Sequence, residues 1–192
     1  MSQKKLKWWE RLLFSDLLAG QSMSRKIAVI GVMTAVMVVA NMFFEFKLAE
    51  TQFSFTLVLS ALTGVIIGPL FGFVACFMGD LVGFFYHSAG FAYLPWIGIS
   101  LGLTAVIAGL VINGLPEGGK GFLFVKIGLV CILTFSICTV AINTTAFWIL
   151  YSKVDYGTYL ISRLFVQGQI WNSLFNYALL FLTVPAVKKL KL

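Results

Sequence analysis

The sequence predicts an all-α integral membrane protein with six transmembrane helices and an N-terminal amphipathic helix lying in the interface. Three observations carry that class. Of the 192 residues, 60% are hydrophobic and only 11% are charged, against about 25% charged in a soluble domain. Mean hydropathy is +0.97, so a water-soluble fold would expose much apolar surface. Six spans of roughly 20 apolar residues would use about 120 residues, leaving short loops and a tail. The chain divides into an amphipathic cytoplasmic segment, 1–23, and a six-helix membrane domain, 24–192. That division leaves no room for a nucleotide-binding domain.

The elements run in order along the chain. In residues 4–19, Trp8, Trp9, Leu12, Leu13, Leu17 and Leu18 recur at helical spacing with Lys and Arg between them. Such a helix lies in the interface, aromatics down and cations up. The first span runs from Ile27 to Phe46, and Lys47 to Ser54 is a polar break. The second span is short, Phe55 to Ile67, and Gly68-Pro69 turns the chain. The third runs from Leu70 to Tyr86, and a loop from His87 to Tyr93 comes next. The fourth covers Leu94 to Ile112. Residues 113–121 form the clearest loop. The fifth runs from Phe122 to Tyr151, and the sixth from Thr158 to Ala186.

Charge placement sets the topology. With six spans both termini share one side. That side holds eleven of the 14 cations: Lys4, Lys5, Lys7, Arg11, Arg25 and Lys26, then Lys120 and Lys126, then Lys188, Lys189 and Lys191. Lys47 and Lys153 lie opposite, and Arg163 falls inside span six. The positive-inside rule places both termini in the cytoplasm. Cations gathered at the chain ends fit anionic lipid headgroups rather than nucleic acid.

No catalytic constellation is present. His87 is the only histidine, so a HExxH motif or a His-rich metal site is impossible, and there is no phosphate-cradling loop. Cys76, Cys131 and Cys138 lie in apolar runs and read as packing residues. The informative residues are polar groups inside the spans, which are expensive in lipid unless they face a cavity or a partner. Asn41 and Glu45 stand one turn apart near the outer end of span one. Asp80 lies in span three. Asn143 lies in span five, with Trp148 and Tyr151 outside it. Arg163, Gln167, Trp171 and Asn172 form a stripe on span six. With Phe84, Tyr93 and Trp96 these residues are candidates to line an outward-facing pocket for a heteroaromatic solute. Each has a plainer role. Asp80 and Arg163 also fit a structural ion pair, and Asn143 and Asn172 fit interhelical glue. Glu45 fits a solvated helix end, Trp148 and Tyr151 an aromatic belt, and His87 an exposed loop. Ala28, Gly31 and Ala35 make a small-residue face on span one, suited either to internal packing or to docking another helix.

The run from Leu57 to Ile112 resembles the substrate-binding S components of energy-coupling factor (ECF) vitamin importers, the folate-type subgroup most of all. The matching positions are Gly64, Gly68, Pro69, Gly72, Asp80, Gly83, Gly90, Pro95 and Ser100. Arg163 followed by Gln167 is similar to the polar stripe of that family's last helix. The resemblance implies a non-enzymatic subunit of a bacterial cell-membrane importer, taking up a vitamin from outside as cargo rather than as a cofactor. It also implies a membrane coupling subunit that docks on the small-residue face, two cytoplasmic ATPase subunits, and no metal. The folate-type pattern carries an Arg just before the second span, where this chain has Gln52. A neutral amide holds a carboxylate less strongly than a guanidinium fork, and Lys47 is the nearby replacement. Asn41, Glu45, Lys47, Gln52 and His87 thus join the expected vitamin site. Folate or a related pterin ranks first and cobalamin second, with pantothenate a further candidate. The rival reading is a self-sufficient small secondary transporter or channel, for which Glu45, Asp80 and Arg163 are the coupling-ion candidates. A membrane enzyme using carboxylates is a third.

Overall fold

The structure, a computed structural model, describes residues 12–48, 51–86, 92–116 and 119–189, with backbone alone at 45–48, 51, 52 and 120. The stretch from Lys4 to Arg11, with Trp8 and Trp9, and the loop residues His87 and Gly90 lie outside the described residues.

Five described helices are long and apolar enough to cross a membrane, and Thr56–Ile67 is a shorter apolar helix. In chain order they begin with a single turn, α1 (Asp16–Ala19), and the first long helix, α2 (Met23–Phe43). Ser22 caps α2 by accepting from the Arg25 N–H. Next come α3 (Thr56–Ile67) and α4 (Pro69–Tyr86). They are separated by Gly68 at φ +115°, a conformation open to glycine and closed to most other residues. Helix α5 (Pro95–Gly109) starts on Pro95, whose missing N–H costs nothing in the first turn, and continues into a π-helical turn, Leu110–Gly114. Helix α6 (Lys120–Leu133) widens into an eleven-residue π-helical stretch, Thr134–Thr144, and resumes as α7 (Thr145–Tyr151). Asp155 caps α8 (Tyr156–Ile161), a π-helical turn comes next at Ser162–Val166, and α9 (Gln169–Val187) is the last helix.

Two expectations are corrected. The polar break after span one is an antiparallel hairpin, β1 (Glu45–Leu48) with β2 (Thr51–Ser54), in which Glu45 faces Ser54 and Lys47 faces Gln52. Glu45–Leu48 alternates polar and apolar residues, the strand period, but Thr51–Ser54 does not, and four residues are too few to stand out beside the helix. Because α2 stops at Phe43, Glu45 does not succeed Asn41 by one helical turn. The sixth span is not continuous either. Gly168 adopts φ 72° and separates the Arg163 turn from α9.

Glycine sets the interior. A Cβ on Gly64 would lie 1.9 Å from the Ala105 carbonyl oxygen, so α3 and α5 touch backbone to backbone. Gly79 and Gly83 of α4 admit Met37 and Asn41 of α2 in the same way. Below these contacts Val58, Ala61, Val65, Ala108, Ile112, Ile127, Val130, Leu180 and Val184 form the main apolar core. A second cluster joins Leu18, Ile67 and Ala75, with Phe14, Ile30 and Phe71 against it. There Ser15 donates its backbone N–H to the Ile67 carbonyl and its hydroxyl to the Ile66 carbonyl, satisfying the end of α3. Outward-facing Val32, Ile132, Phe85 and Leu182 are exposed apolar residues suited to lipid.

Lys126, one of the cytoplasmic-side cations, is buried. Its ammonium donates to the Ile112 and Leu115 carbonyls at 3.1 and 2.8 Å, at the widened end of α5. At Gly31, by contrast, an added Cβ meets nothing within 4 Å, and Ala28 and Ala35 are exposed on the same side. The small-residue face therefore takes no part in packing among the described residues.

These contacts predict opposite outcomes for two glycines. Gly64→Ala should destabilise the purified chain by about 1–3 kcal/mol or more, the usual cost of overpacking. Gly31→Ala should leave its thermal midpoint in detergent unchanged.

Candidate functional site

A cavity of about 350 Å³ opens at the end of the bundle away from the termini. Its floor is the start of α3, through Thr56 and Leu57, with Ser54 of the hairpin. Its walls carry Asn41 of α2, Asp80, Gly83 and Phe84 of α4, and Ile97, Ser100, Leu101 and Thr104 of α5. The widened part of the fifth span adds Cys138, Thr139 and Asn143, with Phe147 of α7 beyond them. Arg163, Gln169 and Asn172 complete the ring. An adjoining apolar cavity of about 320 Å³ shares Asp80, Phe84, Ile97 and Phe147, and adds Tyr93, Leu94 and Tyr151.

The hairpin corner is held by two asparagines of α9. Asn172 Oδ1 accepts from the Ser54 N–H at 3.0 Å, and Asn176 Oδ1 accepts from the Val58 N–H at 3.0 Å. Asn176 Nδ2 also donates to the Ser54 carbonyl at 2.8 Å. The first turn of α3 has no side-chain cap of its own; Asn176 satisfies its Val58 N–H, and the other two bonds hold Ser54 of the hairpin.

The electrostatics are local and paired. The Tyr93 hydroxyl donates to Asp80 Oδ2 at 2.9 Å. Burial and the adjacent Asp80 charge both raise the Tyr93 hydroxyl above its ordinary range, so it stays a donor. Arg163 lies over the Phe147 ring, its guanidinium carbon 4.3 Å from the centroid, a cation–π contact. Trp96 meets the same ring edge-on at 6.5 Å. Three side chains of the lining carry buried polar atoms with no hydrogen-bond partner among the described residues: Asn41 Nδ2, Asn143 Oδ1 and Arg163 Nε. Such atoms are rare in folded proteins and cost about 1–3 kcal/mol each.

A family model described as the ECF-type riboflavin transporter S component matches residues 21–191. The chain belongs to that family. It is thus the substrate-binding subunit of a transporter, a multi-pass membrane protein and not an enzyme. Among solved structures, this S component is similar to FolT, in a crystal structure bound with folic acid. The identity is 21%, the match covers 88% of this chain and 97% of that one, and the TM-score is 0.68. That likeness establishes the shared all-α membrane fold. No curated protein matches the sequence.

The structure gathers part of the expected site. Asn41, Asp80, Phe84, Asn143 and Arg163 line the main cavity, Tyr93 and Tyr151 line its apolar neighbour, and Trp96 packs behind Phe147. Gln167 and Trp171 are exposed, outside both linings. The stripe Arg163–Gln167–Trp171 assumed one unbroken helix. The left-handed Gly168 turns α9 relative to the Arg163 turn, so Asn172 of the expected stripe reaches the lining, Gln169 joins it, and Gln167 and Trp171 stay outside. Trp148 is also outside both linings. Its Nε1 donates to the Val154 carbonyl at 2.8 Å and its ring packs on Tyr156. Nearby, hydrogen bonds from Thr158 hold the Asp155 carboxyl below its ordinary range. Only backbone is described for Glu45, Lys47 and Gln52, which pair within the hairpin. Phe147, Ser100, Thr104, Thr139 and Gln169 were missed. Hydroxyls and a phenylalanine in apolar spans look like ordinary packing residues, whereas Asp80, Asn143 and Arg163 stand out as costly polar groups.

The asparagine clamp yields a prediction. Asn176→Ala should cost about 1–3 kcal/mol by leaving buried amide groups unpaired. The measured signs would be a lower thermal midpoint and weaker ligand binding. Gln167→Ala should change neither.

Proposed function

We propose that this S component binds a flat heteroaromatic vitamin, folate or a related pterin, from the outside of a bacterial cell membrane, with both termini cytoplasmic. The observation that carries the reading is the cavity opposite the termini, with aromatic walls and three polar atoms that have no partner among the described residues. Its volume and that of its neighbour fall in the range of roughly 300–1,000 Å³ usual for small-molecule sites. FolT, of the same fold, holds folic acid. The family description names riboflavin, also a fused heteroaromatic. Cobalamin, with its corrin ring and nucleotide arm, calls for a wider chamber. Lys47 and Gln52, cross-strand neighbours in the hairpin, are the proposed partners of a ligand carboxylate, and His87 is a further candidate by sequence alone.

Energy comes from partners: a membrane coupling subunit and two cytoplasmic ATPases. The outward face of Ala28, Gly31 and Ala35 serves as the docking surface for the coupling subunit. Its lack of internal contacts supports that role over packing.

Two measurements test the reading. In competition titrations of the purified chain, folate or pterin should bind tightly without ATP or an ion gradient. Dominant cobalamin binding would overturn the ligand ranking, and uptake by the chain alone in liposomes would favour a secondary carrier. Arg163→Ala should weaken ligand binding by about 2–5 kcal/mol if it meets a buried charged group. Ala35→Trp should leave affinity intact and abolish uptake with the partner subunits, whereas lost binding with intact assembly would rule out docking there.

A further inference from the structure

We infer that the segment Leu12–Ser22 is a strap that sets the angle of the N-terminal half of α2, so that Ser15 and Leu18 are positioning residues for docking of the coupling subunit. This rests on the reading of Ala28, Gly31 and Ala35 as the docking face and names what holds that face in place.

Helix α2 is held differently along its length. Its buried residues are Met37 and Ala40, in the half nearer the cavity, where Gly79 and Gly83 of α4 admit Met37 and Asn41. From Met23 to Val36 no residue of α2 is buried. That stretch packs on one apolar cluster, in which Val29, Ile30 and Met33 meet buried Leu18, Ile67 and Ala75, with Phe14 and Phe71 beside them. The Lys26 ammonium lies over the Phe14 ring, 4.4 Å from its centroid, a cation–π contact that ties the first turn of α2 to the strap. Lys26, Val29, Ile30 and Met33 share one side of the helix. At about 100° per residue, Ala28, Gly31 and Ala35 lie on the opposite side. The strap therefore supports the docking face from behind.

The strap is fixed to the end of α3 rather than resting on it. Ser15 uses three groups: its N–H donates to the Ile67 carbonyl at 3.2 Å, its hydroxyl donates to the Ile66 carbonyl, and its hydroxyl oxygen accepts from the Leu18 N–H at 3.3 Å. The last bond starts α1, and α1 delivers Leu18 to the cluster. The Phe14 ring packs on Phe71 with centroids 5.0 Å apart. At Gly68 an added Cβ would lie 2.7 Å from the Phe14 Cα, so the strap backbone runs directly against the turn between α3 and α4.

A half-helix with no buried residue of its own takes its angle from what lies behind it. Without the Leu18 side chain, a void opens between α2, α3 and α4, and α2 can fill it only by tilting. Its other half stays in place through the Gly79 and Gly83 contacts. Small-residue docking depends on close backbone approach, so a tilt is felt first at the partner. Asn41, which α2 contributes to the cavity, lies at the Gly83 contact and is spared.

The test uses the full chain in lipid nanodiscs with Leu18→Ala and Ser15→Ala, and with Leu18→Met as the volume-conserving control. Folic acid and riboflavin are the ligand probes. Affinity for the probe that binds the wild type should be unchanged in all three. Assembly with the purified coupling and ATPase subunits should weaken about fivefold or more, the lower end of usual coupling effects, in the two alanine variants and not in Leu18→Met. If Leu18→Ala does not fold, Ser15→Ala is read in its place. A second readout needs neither partner nor ligand. Spin labels are placed at exposed Ser24 and Lys189, in a chain whose cysteines Cys76, Cys131 and Cys138 are replaced by alanine. Their separation should shift or broaden in the alanine variants, and the separation between labels at exposed Val39 and Leu174 should not. An unchanged separation of the first pair, or intact assembly despite a changed one, would overturn the inference. So would a ligand affinity that falls together with assembly, the mark of a general loss of structure. If Ala35→Trp leaves assembly intact, the docking reading itself fails, and the label separations alone decide whether the strap sets α2.

Discussion

The short helix α3 is the constraint around which the bundle is arranged. Twelve residues reach about 18 Å, well under the roughly 30 Å of a hydrocarbon core. The helix is buried among α4, α5 and α9 because Gly64 lets the α5 backbone close directly on it. A helix that stops short must have both ends satisfied inside the protein, since lipid supplies no hydrogen bonds. At one end Ser15 performs that task for the Ile66 and Ile67 carbonyls. At the other, Asn172 and Asn176 hold the hairpin and the first turn of α3. The space above that end is the candidate ligand cavity. Site, hairpin and N-terminal segment are thus consequences of one short span.

The cavity walls come from places where helical winding departs from the ordinary. The π-helical stretch of the fifth span supplies Cys138, Thr139 and Asn143, and the π-helical turn before Gly168 supplies Arg163. A wider turn leaves backbone acceptors and side chains displaced from the regular ladder, which is why such turns recur at functional sites. An apolar core packs away from the cavity, while close glycine contacts occur in both regions, Gly64 against Ala105 and Gly83 of the cavity wall against Asn41. The small-residue face of α2 lies outside both regions and leaves a helix surface for a partner.

Much of this was legible in the residues. Long apolar runs marked five spans, and Gly68-Pro69 marked the end of the short one. Asp80, Asn143 and Arg163 stood out because charge and amides are costly in lipid. The features that escaped were set by geometry that leaves little local signal. The hairpin is two segments of four residues. The break at Gly168 rests on a single glycine among 18 in the chain; it left Gln167 and Trp171 outside the lining, kept Asn172 in it and added Gln169.

The sequence by itself determined the class, the order of the spans, the asymmetry of cations, and which costly polar groups needed a purpose. These come from transfer free energies that depend on residue type alone. Only the tertiary structure decided which groups meet. A hydroxyl such as Ser100 has the same composition whether it orients an amide or fills a gap. Its neighbours, the Cys138 carbonyl and the Asn143 side chain, are 38 and 43 residues away along the chain.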